Sequence, residues 1–129
     1  MGLGAPLGQL QGLDLSEACL YWASLGDADL SFANLSKADL RGATLCRTTC
    51  RSTNFRRANM GRDSLGGRTA LQGADLSTAD LSEAILQDAV YDDSTKFPPG
   101  FDPEGRGMTH VDDLAMNDPA LIVGRRREP

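Results

Sequence analysis

An all-β solenoid of stacked, equally bent coils is the fold this sequence predicts, and three observations predict it. A five-residue echo, ASL, ADL, ANL, ADL and ATL, closes at Leu25, Leu30, Leu35, Leu40 and Leu45. The register extends through Leu10, Leu15 and Leu20 upstream and through Cys50, Phe55, Met60 and Leu65 downstream, then resumes after Gly66-Gly67 at Leu71, Leu76, Leu81, Leu86 and Tyr91. Two residues before most of these sits a small one, among them Ala18, Ala38, Ala58 and Ala79. About 17 such units fill roughly two thirds of the chain.

The chain opens on MGLGAPLGQL, where Met1, Leu3 and Leu7 can cover the open end of a solenoid. Within the repeats, a large and a small apolar residue two apart share one face of an extended segment. The next small residue follows three later, which requires a bend in every unit. A helix fails, because a period of five turns each successive leucine by about 140° and forms no stripe. A flat strand fails as well, since an odd period alternates faces. Four equal bends close a square, so residues about 20 apart stack, and about four coils at roughly 4.8 Å spacing make a rod near 20 Å long.

The stacking columns are uniform, as a shared interior requires. Ala18, Ala38, Ala58 and Ala79 form a small column beside Leu20, Leu40, Met60 and Leu81, if the break near Gly66 shifts the register by one residue. Asp29, Asn34, Asp39, Asn54, Asn59, Asp75 and Asp80 sit between the inward pairs, where such side chains bond to nearby backbone. They read as turn residues, not as acid–base or metal groups.

This run resembles the pentapeptide-repeat proteins, whose pattern is A(D/N)LXX; the match covers roughly residues 8–93. The resemblance implies a right-handed quadrilateral parallel β-helix with the Leu or Phe centre and the preceding small residue inward. It also implies a compact protein with no defined biochemical role. The stretch TKFPPGFDP resembles the segment that follows the repeats in many members from photosynthetic bacteria. The expected domains are 1–93, the β-helix with its N-terminal cap; 94–108, a C-terminal capping segment; and 109–129, a short helix or flexible tail.

At the break, Met60 to Arg68, Asp63 falls where a small inward residue belongs. An unpaired buried carboxylate is costly, so bulging is expected there instead of burial. A one-residue accommodation is the simpler reading. The resemblance also offers a recognition loop, as interruptions provide in family members that protect topoisomerases. Beyond the second repeat block, Phe97, Phe101 and Met108 are placed to fold over the last coil. Thr109 is expected to cap a short helix to about Asn117, and Arg125-Arg126-Arg127 closes the chain as solvated charge.

Of the central arginines, Arg47 is expected near Asp27, Arg62 near Glu83 and Arg41 over Tyr21. Arg56 and Arg57 have no carboxylate neighbour in that register and, with Lys37, form a small positive patch. Tyr21 and Trp22 point outward, where aromatic residues anchor partners; alternatively, Gly42 one coil away leaves room for the indole on the wall. The candidate partner-binding residues are therefore Tyr21, Trp22, Lys37, Arg56 and Arg57.

The 129 residues suit one domain of formal net charge −5. No apolar run is long enough for a membrane span, and the sequence as given shows no basic-then-apolar leader pattern, so neither a membrane span nor a secretory signal is expected. Cys19, Cys46 and Cys50 make no disulfide or zinc framework, and the single histidine, His110, lies far from them. This points to the cytoplasm, with no metal or cofactor. No phosphate loop or nucleophile–base pair appears, so no catalytic residue is assigned. A non-enzymatic scaffold for protein–protein interaction is the expected function. The alternative is a DNA-mimicking, gyrase-interacting protein, for which the rod is short and its acidic surface is interrupted by arginines. The expected partner is another protein, without membrane or nucleic acid, and a monomer is preferred to an end-to-end homodimer.

Overall fold

The computed structural model describes residues 9–116. The expected N-terminal cap through Met1, Leu3 and Leu7 and the Arg125–Arg127 run lie outside them. Four ladders of parallel backbone bridges run along the molecule. One joins Gln9, Asp29, Thr49, Asp75 and Lys96; the next joins Asp14, Asn34, Asn54 and Asp80. A third joins Cys19, Asp39, Asn59 and Ile85, and the fourth Ser24, Thr44, Ala70 and Val90. Up to Asn59 every bridge joins positions four pentads apart, as in Asp14 to Asn34 and Asp39 to Asn59, which is the stacking period of a four-sided coil.

One unit shows why the pentad repeats. Leu35 N–H donates to the Asn54 carbonyl on the next coil at 2.7 Å, and Lys37 N–H to that of Arg56 at 2.9 Å. Ala38 N–H then closes a turn on the Leu35 carbonyl at 3.1 Å. Lys37, third in that turn, has φ 59°, as a type II turn requires. Asn34 Oδ1 accepts from Ser36 N–H at 3.0 Å and braces the same corner. Asp29, Asp39, Asn54, Asp75 and Asp80 each repeat this bond two residues on. Their serine hydroxyls and N–H groups also hold Asp75 and Asp80 below the usual carboxylate range. The small polar residues of the repeat are thus spent on turns.

Inside, Leu30, Leu35, Leu40, Leu45, Phe55, Met60, Leu71 and Leu76 are fully buried, with alanines between them. Thr48, Thr53 and Thr69 take buried small-residue positions and donate their hydroxyls to the carbonyls of Leu45, Leu30 and Leu40 at 2.8–2.9 Å. Cys50 replaces an inward leucine and is buried, which pushes its thiol up to about 12.

The break is longer than expected. Ser24 pairs with Thr44 below it, whereas Thr44 pairs with Ala70 across it, six positions beyond the four-pentad spacing. Six residues therefore leave the wall, and a one-residue slip is ruled out. Met60 is followed in its column by Leu86, not Leu81, because Asn59 pairs with Ile85. Leu65, assigned inward by the five-residue count, is 82% exposed.

Above the repeats, β1 (Val90–Tyr91) pairs in parallel with β2 (Thr109–His110), and α1 (Val111–Met116) follows. Phe97 stacks on Phe101 at 4.9 Å and meets Tyr91 edge-on at 5.6 Å, while Met108 joins the core. Arg106 lies over Phe101 and donates to the Leu81 and Ala84 carbonyls at 3.2 and 2.9 Å. The expected helix is present, but its cap is His110, not Thr109. His110 Nδ1 accepts from Asp112 N–H at 3.1 Å, and Nε2 lies 2.7 Å from Asp93 Oδ1.

Candidate functional site at the break in the repeats

The wall that carries Tyr21-Trp22 and Arg41-Gly42 also receives the six extra residues. Trp22 occupies the third turn position with φ 62°, so its indole lies across the wall instead of into the core. Two glycines make this possible. A Cβ at Gly42 would stand 3.2 Å from the indole and one at Gly67 2.6 Å, so any side chain at 67 would collide with the ring. The expected fit over Gly42 is present, and the second glycine belongs to the loop itself.

Asp63 is the hub of this arrangement and is only 5% exposed. Its Oδ2 accepts from Tyr21 Oη at 2.8 Å and from Trp22 Nε1 at 2.6 Å. Its Oδ1 accepts from the backbone N–H groups of Leu65, at 3.0 Å, and of Gly67. Desolvation alone would raise this carboxyl; the Tyr21, Gly67, Trp22 and Leu65 donors outweigh it and leave the group below its ordinary value. Burial and bulging, alternatives on sequence grounds, occur together: the chain bulges and the carboxylate turns back under it. A bond of 2.9 Å from Asp63 N–H to the Gly67 carbonyl and Gly66 at φ 91° close the loop.

The result is a braced loop with Leu65 outermost. Nearby, Trp22 is 52% exposed, and Arg41 holds the Tyr21 ring at 5.4 Å while pairing with Asp39 at 2.8 Å. Arg62 and Arg68 both approach Asp88, each at 4.0 Å. Arg62 was expected beside Glu83; the six-residue insertion carries it one pentad further.

The same shift corrects the positive patch. Arg56 and Arg57 both pair with Glu83, at 3.2 and 3.4 Å, so they are not without a carboxylate neighbour. Lys37 stacks on their coil, with the Arg56 carbonyl accepting its N–H, and is exposed. Arg47 pairs with Asp27 at 2.8 Å as expected. Phe32, 70% exposed, sits on another wall, where its N–H donates to the Arg51 carbonyl. The structure therefore brings Tyr21 and Trp22 together with Asp63 and sets Lys37, Arg56 and Arg57 apart.

The profile described as Pentapeptide repeats matches residues 23–62 and 68–90 in eight copies. The repeat region belongs to the pentapeptide-repeat family. The gap in the match, residues 63–67, falls within the braced loop. No curated protein matches the chain. Among solved structures, it is similar to the pentapeptide repeat protein alr5209 from Nostoc PCC 7120, with 26% identity over 80% of this chain and 84% of that one and a TM-score of 0.42. It is also similar to Rfr23 from the cyanobacterium Cyanothece 51142, at 29% identity over 69% and 60% of the two chains and a TM-score of 0.41. HetL from Nostoc sp. strain PCC 7120, involved in heterocyst differentiation regulation, matches at 26% identity over 78% and 54%, with a TM-score of 0.41.

In this pentapeptide-repeat chain, sequence reasoning singles out Asp63 but misses its partners. The signal is available: a carboxylate and two glycines displaced from the pentad pattern, together with the single tryptophan on the wall they return to. Among the described residues, no group of three or more His, Cys, Asp and Glu is placed to hold a metal ion. No helix among them is long and apolar enough to cross a membrane.

Proposed function

We propose that the protein is a non-enzymatic interaction module, a rod of about four right-handed quadrilateral coils whose recognition element is the loop of residues 61–67. One observation carries this reading. Asp63 fixes the loop to the wall through Tyr21 and Trp22 and braces it internally through the Leu65 and Gly67 N–H groups, yet Leu65 is held 82% exposed. A leucine kept in water on a braced support is preorganised for contact, since little conformational freedom is left to lose on binding. The interior supports the non-enzymatic reading, because it is filled by leucine, alanine and phenylalanine side chains. The three cysteines are free, which suits the proposed cytoplasmic setting.

The same picture supports a protein partner over a DNA-mimic role. Mimicry of duplex DNA needs an uninterrupted acidic surface, whereas Arg41, Arg47, Arg51, Arg56 and Arg57 stand beside carboxylates on successive faces of this rod. The test is a variant lacking residues 61–66, which joins Met60 to Gly67-Arg68-Thr69-Ala70-Leu71 and restores an unbroken pentad register. It is expected to fold with an unchanged circular dichroism spectrum and to lose specific partners that the wild type captures from native lysate. An unchanged set of partners would remove the loop from consideration.

A further inference from the structure

The charges around the loop point to the chemistry of its partner. Leu65 stands over a wall whose outward cations are Arg41, Arg62 and Arg68, against the carboxylates of Asp39 and Asp88. The loop's own carboxylate, Asp63, turns inward and spends both oxygens on donors from Tyr21, Trp22, Leu65 and Gly67. Arg62 and Arg68 share one carboxylate at the outer limit of ion pairing, 4.0 Å each. Arg68 is further engaged by the Asp88 carbonyl at 3.1 Å and Thr109 Oγ1 at 3.3 Å. Arg62 has no such additional bonds among the described residues, so its guanidinium is the underused cation beside the exposed leucine.

We propose that the outer face of this loop docks an acidic protein segment with an apolar side chain at its centre. The proposal rests on the loop being the recognition element. The apolar side chain covers Leu65 and the free edge of the Trp22 indole, while flanking carboxylates take Arg62 in the planar, paired geometry that guanidinium favours. Aromatic and arginine groups around one apolar contact are the usual composition of an interface centre. A nucleic-acid backbone fits less well. It offers no aliphatic side chain for Leu65, and three arginines already set against Asp39 and Asp88 fall short of the broad basic stripe that a phosphate backbone needs.

The full-length, ¹⁵N-labelled chain, titrated with a short peptide of glutamates around a central leucine, tests this. Amide shifts centred on residues 62–68 and on the Trp22 indole N–H are expected. Leu65→Ser and Arg62→Gln should each weaken binding about tenfold, as should replacing the peptide's leucine by serine. A lysine-flanked peptide that binds as well, a serine peptide that binds equally, or no shift at all would overturn the acidic-segment proposal. If partners captured from lysate still depend on residues 61–66, those results leave the loop itself as the recognition element. If capture is independent of these residues, both readings fall. Sedimentation that shows a loop-dependent dimer would assign the surface to a second copy and overturn the proposal.

Discussion

Leu40 and Leu65 occupy the same register of the five-residue count, and the structure treats them oppositely. Leu40 lies in the regular region, where each coil takes four pentads and every corner pairs with the coil above. It is fully buried. Leu65 lies in the interrupted coil, where the bridges from Thr44 to Ala70 and from Asn59 to Ile85 reach six positions further, and it is 82% exposed. Residue identity and spacing are therefore not what drives a leucine inward in this fold. Closure of the ladder is. Thr44 N–H reaches Ala23 and Ala70 N–H reaches Ala43 with the same geometry, at 2.9 and 3.0 Å, on either side of the insertion. Any excursion that leaves and rejoins one wall leaves those bonds intact, so a solenoid accepts an insertion without disturbing its neighbours.

The sharpest way to test this contrast is Leu40→Ala. The side chain sits between buried Leu20 and Met60 on the coils on either side, and little collapse can fill the space it leaves. A loss of about 2–5 kcal/mol is expected, read as a lowered denaturation midpoint with an unchanged urea slope. A cost under about 1 kcal/mol would mean that the stacked coils repack freely, against the uniform columns seen here.

Most of the regular region is legible because one pentad repeats one packing problem. The inward leucines and alanines, the Asp and Asn corners, the Arg47–Asp27 pair and the Arg41–Tyr21 contact all follow from a four-pentad period. Reading fails where that period has to be carried across the break. Counting from Leu65 to Leu71 gives a slip of one, and the same count is satisfied by a whole pentad leaving the wall. Periodicity cannot separate the two, since the pattern resumes in either case. The error then propagates, placing Arg62 beside Glu83 and leaving Arg56 and Arg57 without the carboxylate they share. Tyr21 and Trp22 read as outward aromatics, which is correct; that their polar edges turn to Asp63 is a contact between distant parts of the chain that no local pattern encodes. At the far end, His110 reads as a tail residue, although it is 3% exposed and caps α1.

Asp63→Ala probes the bracing of the interrupted coil without touching its ladders. It is expected to lower the denaturation midpoint less than Leu40→Ala, and to speed proteolytic cleavage within residues 61–67 while the rest of the chain resists. The single tryptophan reports the same contact, because its indole N–H donates to this carboxylate. The folded-state pKa of Asp63 lies below its ordinary value, so the contribution of the contact is present above the unfolded pKa and is lost as pH falls through the folded one. Trp22 fluorescence should therefore hold steady through neutral and mildly acid pH and change below about pH 4, with the local change absent in Asp63→Ala. A transition near neutral pH would contradict the four-donor geometry.

Leu65→Ser should have the smallest effect, and that is its value. The side chain is almost wholly in water, and its backbone N–H to Asp63 is retained by serine. Stability is expected to change by no more than about 0.5 kcal/mol, the range of surface substitutions away from special features. Amide exchange in residues 61–67 should also be unaltered, since the brace is Asp63 and the two glycines. If the substitution instead lowers the midpoint by as much as Leu40→Ala, then Leu65 is packed in solution and the loop is part of the core. A silent stability result alongside loss of peptide binding would separate the two jobs of the pentad in one molecule: leucines on the ladder hold the rod together, and the one displaced from it is free to meet a partner.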